Sequence, residues 1–267
     1  MQSLAEVHCL SKDYSPAPVI SKFRIEEKTI FAVRDDLLIA GTKQRAAIPY
    51  LRKLMAQGFR HFVYASPFSG FAQVALAYAC QELGAKCILF CESDNENKKH
   101  EFTALAESFG AEIYLTSTLE GAHRASVELV FSDGGLKLIP LGFNTPDFTD
   151  CLEVEISRHW SKLEKGFEIR ELWLPIGSGT LLGVFKKIVG KNVRIIGVNV
   201  NVLPETDVRI SRIRENPEIS YHKSSQKFHE PCRELPPVPS NLYYDSKAFV
   251  FLRDFASDGA FWWNVAR

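Results

Sequence analysis

The stretch Val33-Arg34-Asp35-Asp36-Leu37-Leu38-Ile39-Ala40-Gly41-Thr42-Lys43-Gln44-Arg45 begins as a strand and ends at the mouth of a helix. Phe31 and Val33 are apolar. Two carboxylates and a short apolar run then lead to a Gly41-Thr42-Lys43 corner. Beyond it Ala47, Ile48, Leu51, Leu54 and Met55 recur at helical spacing, and Gly58 closes the pattern. Pro49 is expected in about the first turn of that helix, where a missing N–H costs little. Gly41 lets the backbone turn tightly. Lys43 therefore stands where a strand hands over to a helix. Partial burial and the positive helix end both disfavour its ammonium form, which suits an amine that attacks an aldehyde. Spacing alone favours a plainer reading, a solvated lysine at a helix start.

Working outward, the chain alternates strand and helix. Pro16-Ala17-Pro18 breaks a leader, and Phe23–Ile30 reads as an edge strand. Strands are expected at Phe59–Tyr64, Lys86–Cys91, Glu112–Thr116, Glu171–Pro175 and Arg194–Val200. Helices are expected from Phe71 to Leu83, Asn97 to Phe109, Leu119 to Val130 and Asp150 to Leu163, and from the Gly177 turn to Val189. Strands and helices in this order imply a parallel sheet whose ligands gather at the carboxyl ends of the strands. Two turns open there. The first is Ala65-Ser66-Pro67-Phe68-Ser69-Gly70. The second, Ile176-Gly177-Ser178-Gly179-Thr180, has the make-up of a phosphate cradle: glycines let successive N–H groups converge, hydroxyls add donors, and the helix dipole favours a dianion. A tight structural turn explains the second equally well on its own. No Gly-Lys-Ser/Thr follows the glycines, which excludes the usual nucleoside-triphosphate loop. Asn199 rather than an acid closes the next strand, which weakens a dinucleotide site.

Composition narrows the class. The 267 residues suffice for one large α/β unit or two small domains. Lys+Arg and Asp+Glu are both 32, so no global field favours nucleic acid or an anionic membrane. Cys9, Cys80, Cys87, Cys91, Cys151 and Cys232 show neither a C-x-x-C pair nor zinc spacing, and several lie in apolar runs that suit buried, reduced thiols. Met1–Ser11 lacks a basic start followed by an apolar run, and no stretch approaches the roughly 20 apolar residues of a membrane span. A cytoplasmic protein is expected.

Arg-Asp-Asp-Leu-Leu followed by Gly-Thr-Lys-Gln-Arg resembles the Schiff-base lysine segment of the fold-type-II pyridoxal-phosphate enzymes, in the branch of 1-aminocyclopropane-1-carboxylate deaminase and D-cysteine desulfhydrase. Thr42 replaces the usual Asn. Ser69-Gly70-Phe71-Ala72-Gln73 resembles the family's turn beside the cofactor ring, with Gly70 where the family has Asn and Phe71 where it has His. Gly177-Ser178-Gly179-Thr180 resembles its phosphate loop. Pro140-Leu141-Gly142-Phe143-Asn144 is similar to the family's Pro-x-Gly-Gly-x-Asn return to the large domain, with Phe143 in place of the second Gly. Asn241-Leu242-Tyr243-Tyr244-Asp245-Ser246-Lys247-Ala248 looks like its Asp-Pro-x-Tyr-x-x-Lys-Ala segment, and Ala260–Asn264 like the strand that follows.

The resemblance implies a two-domain, three-layer α/β/α fold, like the tryptophan synthase beta chain, with mostly parallel sheets. Residues 1–44 and 141–267 would form the large cofactor-binding domain and 45–140 the small one. It implies pyridoxal 5'-phosphate bound as an aldimine on Lys43. Gly177, Ser178, Gly179, Thr180, Ser69, Gly70, Gln73 and Tyr243 would hold the cofactor, and Ser66 and Asn144 the substrate. The activity implied is that of a lyase acting at Cα of a small amino acid by elimination or deamination, in a homodimer. Residues 203–240 match least. There Arg209, Arg212 and Arg214 cluster, either as scattered charge on a solvated loop or as a basic rim for DNA. The second option fits decarboxylation of an amino acid attached to a larger substrate, such as a phage-type modified thymine in DNA. A degenerate cofactor-binding protein is a third reading, against which the kept Lys43 argues.

Overall fold

A computed structural model describes residues 13–94, 96 and 98–267. Cys9, the Met1–Ser11 leader and Asn97, the expected start of a helix, lie outside the described residues. Two sheets organise the chain. The larger has six strands in the order β1-β2-β10-β7-β8-β9. They are β1 (Ile20–Ile25), β2 (Lys28–Arg34), β10 (Ala260–Asn264), β7 (Glu171–Ile176), β8 (Arg194–Asn199) and β9 (Ile219–Lys223). Only β1, paired antiparallel with β2, breaks the parallel pattern. The smaller sheet is all parallel: β5 (Glu112–Thr116), β4 (Lys86–Glu92), β3 (His61–Ser66) and β6 (Leu136–Ile139).

Both faces of the central strands β10, β7 and β8 are covered, so these strands are buried on both sides rather than alternating with exposed residues. Ile30 and Ala32 of β2, with Ala260 and Trp262 of β10, pack under Ala248, Phe249 and Leu252 of α8 (Asp245–Phe255). Val33, Phe261 and Trp263 point the other way, into a core shared with Trp160 of α5 (Pro146–Gly166) and Phe185 of α6 (Thr180–Ile188). That core continues to the small sheet through α1 (Gln44–Ala56) and α2 (Ala72–Leu83). Val63, Ile88 and Leu136 close the far face of the small sheet beneath α4 (Leu119–Ser132). Between β4 and β5, α3 (Glu101–Ser108) packs on α2. No helix among the described residues is long and apolar enough to cross a membrane. The five described cysteines are buried and none is in a disulfide.

Several boundaries differ from the sequence reading. The expected edge strand Phe23–Ile30 is a hairpin, turned at Glu26-Glu27, with Glu26 at φ +52°. Pro49 lies inside α1 rather than in its first turn, because the helix begins at Gln44 and runs through it. Thr145 caps α5 by accepting from the Phe148 N–H at 3.2 Å, with Pro146 in the first position, so the helix starts before Asp150. Within 203–240 the chain forms α7 (Val208–Arg214) and then β9, the far edge of the large sheet.

The quoted acidic pair is structural. After β2 the backbone makes a 3-10 turn, Asp35–Leu37, which buries both carboxylates. Asp35 takes two bonds from the Arg45 guanidinium, at 2.9 and 2.5 Å, and a third from the Trp263 indole at 2.9 Å. The same indole N–H reaches Thr42 Oγ1 at 3.1 Å. Asp36 is held by Arg34 at 2.7 and 2.8 Å and by the Asn264 amide at 2.9 Å. The Thr42 N–H donates to the Val265 carbonyl at 2.9 Å. Gly41 turns there at φ +61°, and a Cβ on it would stand 2.3 Å from that carbonyl, so no other residue fits. The Lys43 corner is thereby clamped to β10. Arg45 and Asp35 are 1% and 0% exposed, and removing one partner strands the other charge in the core. Asp35→Ala is expected to lower stability by about 3–5 kcal/mol in urea unfolding, the range for breaking a buried pair. A loss below about 1 kcal/mol, typical of a surface pair, would contradict this account.

Candidate active site

A cavity opens at the carboxyl ends of β3 and β7, where the two sheets meet. Thr42 and Lys43 enter it from the clamped corner, Gly70 and Phe71 from the turn after β3, and Gly177 to Leu182 from the turn after β7. Apolar side chains, among them Leu141, Leu152 and Val202, make up much of the remaining wall.

Lys43 is the residue immediately before α1 and is half-buried. Among the described residues it is the only cation on the cavity wall, and no Asp or Glu lines the cavity. Burial lowers its ammonium to about 8, from an ordinary value of 10.5. The amine is therefore largely neutral in mildly alkaline solution, the form that can attack a carbonyl carbon.

The Gly177–Thr180 turn leads directly into α6. Gly179 caps that helix in a left-handed conformation, and the Gly183 N–H bonds back to its carbonyl at 2.9 Å. The N–H groups ahead of Gly183 in the first turn have no partner within the helix. Ser178 and Thr180 hydroxyls lie 3.0 Å apart, and Thr180 Oγ1 donates to the Gly142 carbonyl at 3.4 Å. Gly142 approaches so closely that a Cβ would stand 2.3 Å from Ser178 Cβ. Phe143, which replaces a second glycine, also adopts a positive φ, +59°. For a bulky residue that conformation costs about 1–2 kcal/mol. Complete burial of its ring against Tyr50, Tyr64 and Phe148 offsets the cost.

Two phenols complete the wall. The Tyr64 hydroxyl faces the Gly142 N–H at 3.5 Å, and Tyr244 stands at the entrance to α8. Burial raises both above the ordinary tyrosine range, so each remains a proton donor. Behind Tyr244, buried Asp245 accepts from the Val265 and Ala266 N–H groups at 2.8 and 3.2 Å, fixing the strand exit that also lines the cavity. Burial pushes that carboxyl well above its usual range.

The residues singled out in the sequence divide into three groups. Lys43, Gly70, Gly177, Ser178, Gly179 and Thr180 line one cavity. Ser66, Ser69, Gln73 and Tyr243 do not line it. Ser66 donates to the Pro67 carbonyl at 3.1 Å, and the Gln73 amide to the Gly70 carbonyl at 2.8 Å, so both brace the turn from behind. Ser69 Oγ is buried beside Gly70 with no hydrogen-bond partner among the described residues. Tyr243 pairs with His100 at 2.9 Å. Burial lowers His100 to about 4, which keeps that contact uncharged at neutral pH. Asn144 is exposed in a neighbouring groove that Arg209 also lines. Arg209 is tied to Asp207 at 2.7 and 2.9 Å, and Arg214 to Glu205 and Glu215 at 3.0 and 3.4 Å. Arg212 is exposed. Thr42, Tyr64, Gly142 and Tyr244 were missed as wall residues. The position of Tyr64 near the carboxyl end of a parallel strand was a usable signal for it. Tyr244 is one residue out of register with Tyr243, a difference that only the start of α8 decides.

The donor set fits pyridoxal phosphate. Hydroxyls and unpaired N–H groups at a helix N-terminus suit a phosphate, a neutral lysine suits an aldehyde, and apolar walls suit a planar ring. The partnerless Ser69 hydroxyl next to the cavity adds a further polar atom.

The family described as pyridoxal-phosphate dependent enzyme matches residues 10–230. No curated protein matches the sequence. Among solved structures, a homologue of 1-aminocyclopropane-1-carboxylate deaminase superposes with a TM-score of 0.77 at 17% identity, over 95% of this chain and 90% of that one. An O-acetylserine-dependent cystathionine beta-synthase from Helicobacter pylori gives 0.71 at 17% identity, over 95% and 94% of the two chains. The apo diaminopropionate ammonia lyase of Escherichia coli gives 0.66 at 12% identity, over 94% and 83%. With residues 10–230 matched and the two-sheet α/β architecture shared, the chain belongs to the pyridoxal-phosphate-dependent enzymes of fold type II.

Proposed function

We propose that the protein is a lyase that uses pyridoxal phosphate to break a bond at Cα of a small amino acid, of the elimination or deamination type. The observation that carries this reading is the sharing of one cavity by a desolvated Lys43 and the Ser178–Thr180 turn, with no carboxylate on the wall to neutralise the lysine. Structural likeness to an aminocyclopropane-carboxylate deaminase homologue and to an ammonia lyase supports the reaction class. The carboxylates of Asp207 and Glu205, paired with Arg209 and Arg214, would repel a DNA backbone that followed those arginines, which favours a small substrate.

When bound, the cofactor supplies an electron sink for a bond broken at Cα. The chain's own groups then have separable tasks. Ser178, Thr180 and the first N–H groups of α6 hold the phosphate. Lys43 Nζ would hold the cofactor's aldehyde and would move a proton at the substrate Cα. Tyr64 and Tyr244 line the cavity as protonated phenols, and Leu141, Leu152 and Val202 give it apolar walls. The homodimer and the cytoplasmic setting belong to the same reading.

Two measurements test it. Burial favours the neutral amine, so the rate at which added pyridoxal phosphate attaches to the apo protein should climb with pH only to about 8 and then level off. Attachment that goes on climbing toward the ordinary lysine value of 10.5 would place the reacting lysine in solvent. Second, the loaded protein, offered small amino acids of both hands that carry a leaving group on Cβ, should expel that group and release ammonia and a 2-oxo acid. Lys43→Ala should lower that rate by about 10²–10⁴, the usual worth of a positioned acid–base group. Release of carbon dioxide with the amino group retained would refute the elimination reading and support a decarboxylase.

A further inference from the structure

A second groove adjoins the cavity and shares Leu141 with it. Its floor is apolar, with Ala65, Leu138 and Pro140, and its polar side chains include Asn144, His123 and Arg209. Ala65 follows the cavity residue Tyr64 directly in β3, and Leu141 precedes Gly142. The two spaces therefore lie side by side at the end of β3 and the turn after β6.

Arg209 is built for a ligand there. Its Nε and Nη2 are spent on Asp207, at 2.9 and 2.7 Å, which fixes the plane of the guanidinium. Nη1 has no acceptor among the described residues. The guanidinium also lies near enough to Tyr64 for its charge to oppose the burial that raises that phenol, which places it beside the end of β3. A half-buried guanidinium with one edge locked and a free Nη1 is suited to a single carboxylate.

We propose that this groove is a specificity site, in which Arg209 and Asn144 receive a carboxylate at the far end of the substrate's side chain. The inference rests on the amino-acid lyase reading and narrows its substrate class to amino acids whose leaving group on Cβ ends in a carboxylate, with glutamate as an unreactive probe of the contact. Asp207 beside Arg209, and Glu120 on the groove wall, set two carboxylates against any polyanion. A single carboxylate meets the open Nη1 edge, whereas a run of phosphates meets both acids.

The test uses the pyridoxal-phosphate-loaded protein with glutamate and glutamine of both hands as probes, followed by calorimetry and by cofactor absorption. Wild type is expected to bind one hand of glutamate about tenfold more tightly than the matching glutamine, the scale of one charge-assisted contact. Arg209→Met should bring the two affinities together, and Asp207→Asn, which frees the guanidinium, should widen the gap. A glutamate preference that survives Arg209→Met, or the lack of one in wild type, overturns the proposal. If absorption responds to alanine and glutamine while glutamate has no advantage, the groove inference fails and the lyase reading stands. If calorimetry shows the Arg209-dependent preference while no amino acid alters the absorption, the groove stands and the lyase reading fails. Salt-sensitive binding of a short DNA duplex, lost in Arg209→Met and without a glutamate preference, overturns it in favour of nucleic acid.

Discussion

The buried contact between Arg45 and Asp35 holds the rest of the site in place. One carboxylate, at the end of β2, ties the start of α1 to the indole of Trp263 on β10. Two distant parts of the chain thus meet at the corner that carries Lys43, and the Thr42 N–H to Val265 carbonyl bond closes the clamp. A catalytic lysine on a flexible corner would sample solvent and regain its ordinary basicity. Fixed by the clamp, it is kept where desolvation lowers its ammonium to about 8. The acidic pair is therefore remote from the cavity yet fixes the corner on which the proposed catalytic lysine is desolvated.

The cavity is assembled from the ends of parallel strands, where helix N-termini and loops converge. Among the described residues its charge is simple, with one lysine, helix-end N–H groups and no carboxylate. Such a space favours an anion and leaves the lysine unneutralised. Glycines at 41 and 142 are dictated by close backbone approach, to the Val265 carbonyl and to Ser178 respectively. Phe143 shows a different solution, a strained backbone held by aromatic packing where a glycine would be free of strain.

Much of this was legible in the residues because strong local signals coincide with the functional turns. Gly41-Thr42-Lys43 and Gly177-Ser178-Gly179-Thr180 each sit between a strand and a helix, and both come together in space. Strand and helix types were readable wherever apolar periodicity was clear, as in Glu112–Thr116, whose bounds agree with the sequence reading. Positions that depend on register were not readable. Tyr244 rather than Tyr243 faces the cavity because α8 begins at Asp245, a start that a pattern match does not fix. Pro49 falls inside α1 because tertiary packing on α2 and α5 outweighs one lost N–H. The pairing of Arg209 with Asp207 and of Arg214 with Glu205 was hidden by the same irregular stretch that concealed α7 and β9.

The central claim is that Lys43 carries the cofactor in this cavity. Its most direct measurement is borohydride reduction of the protein loaded with pyridoxal phosphate, followed by mass mapping of the modified peptide. The account predicts one phosphopyridoxyl group per chain, on Lys43, and none at that position in Lys43→Ala. Label spread over exposed lysines, or carried equally by the variant, would contradict it.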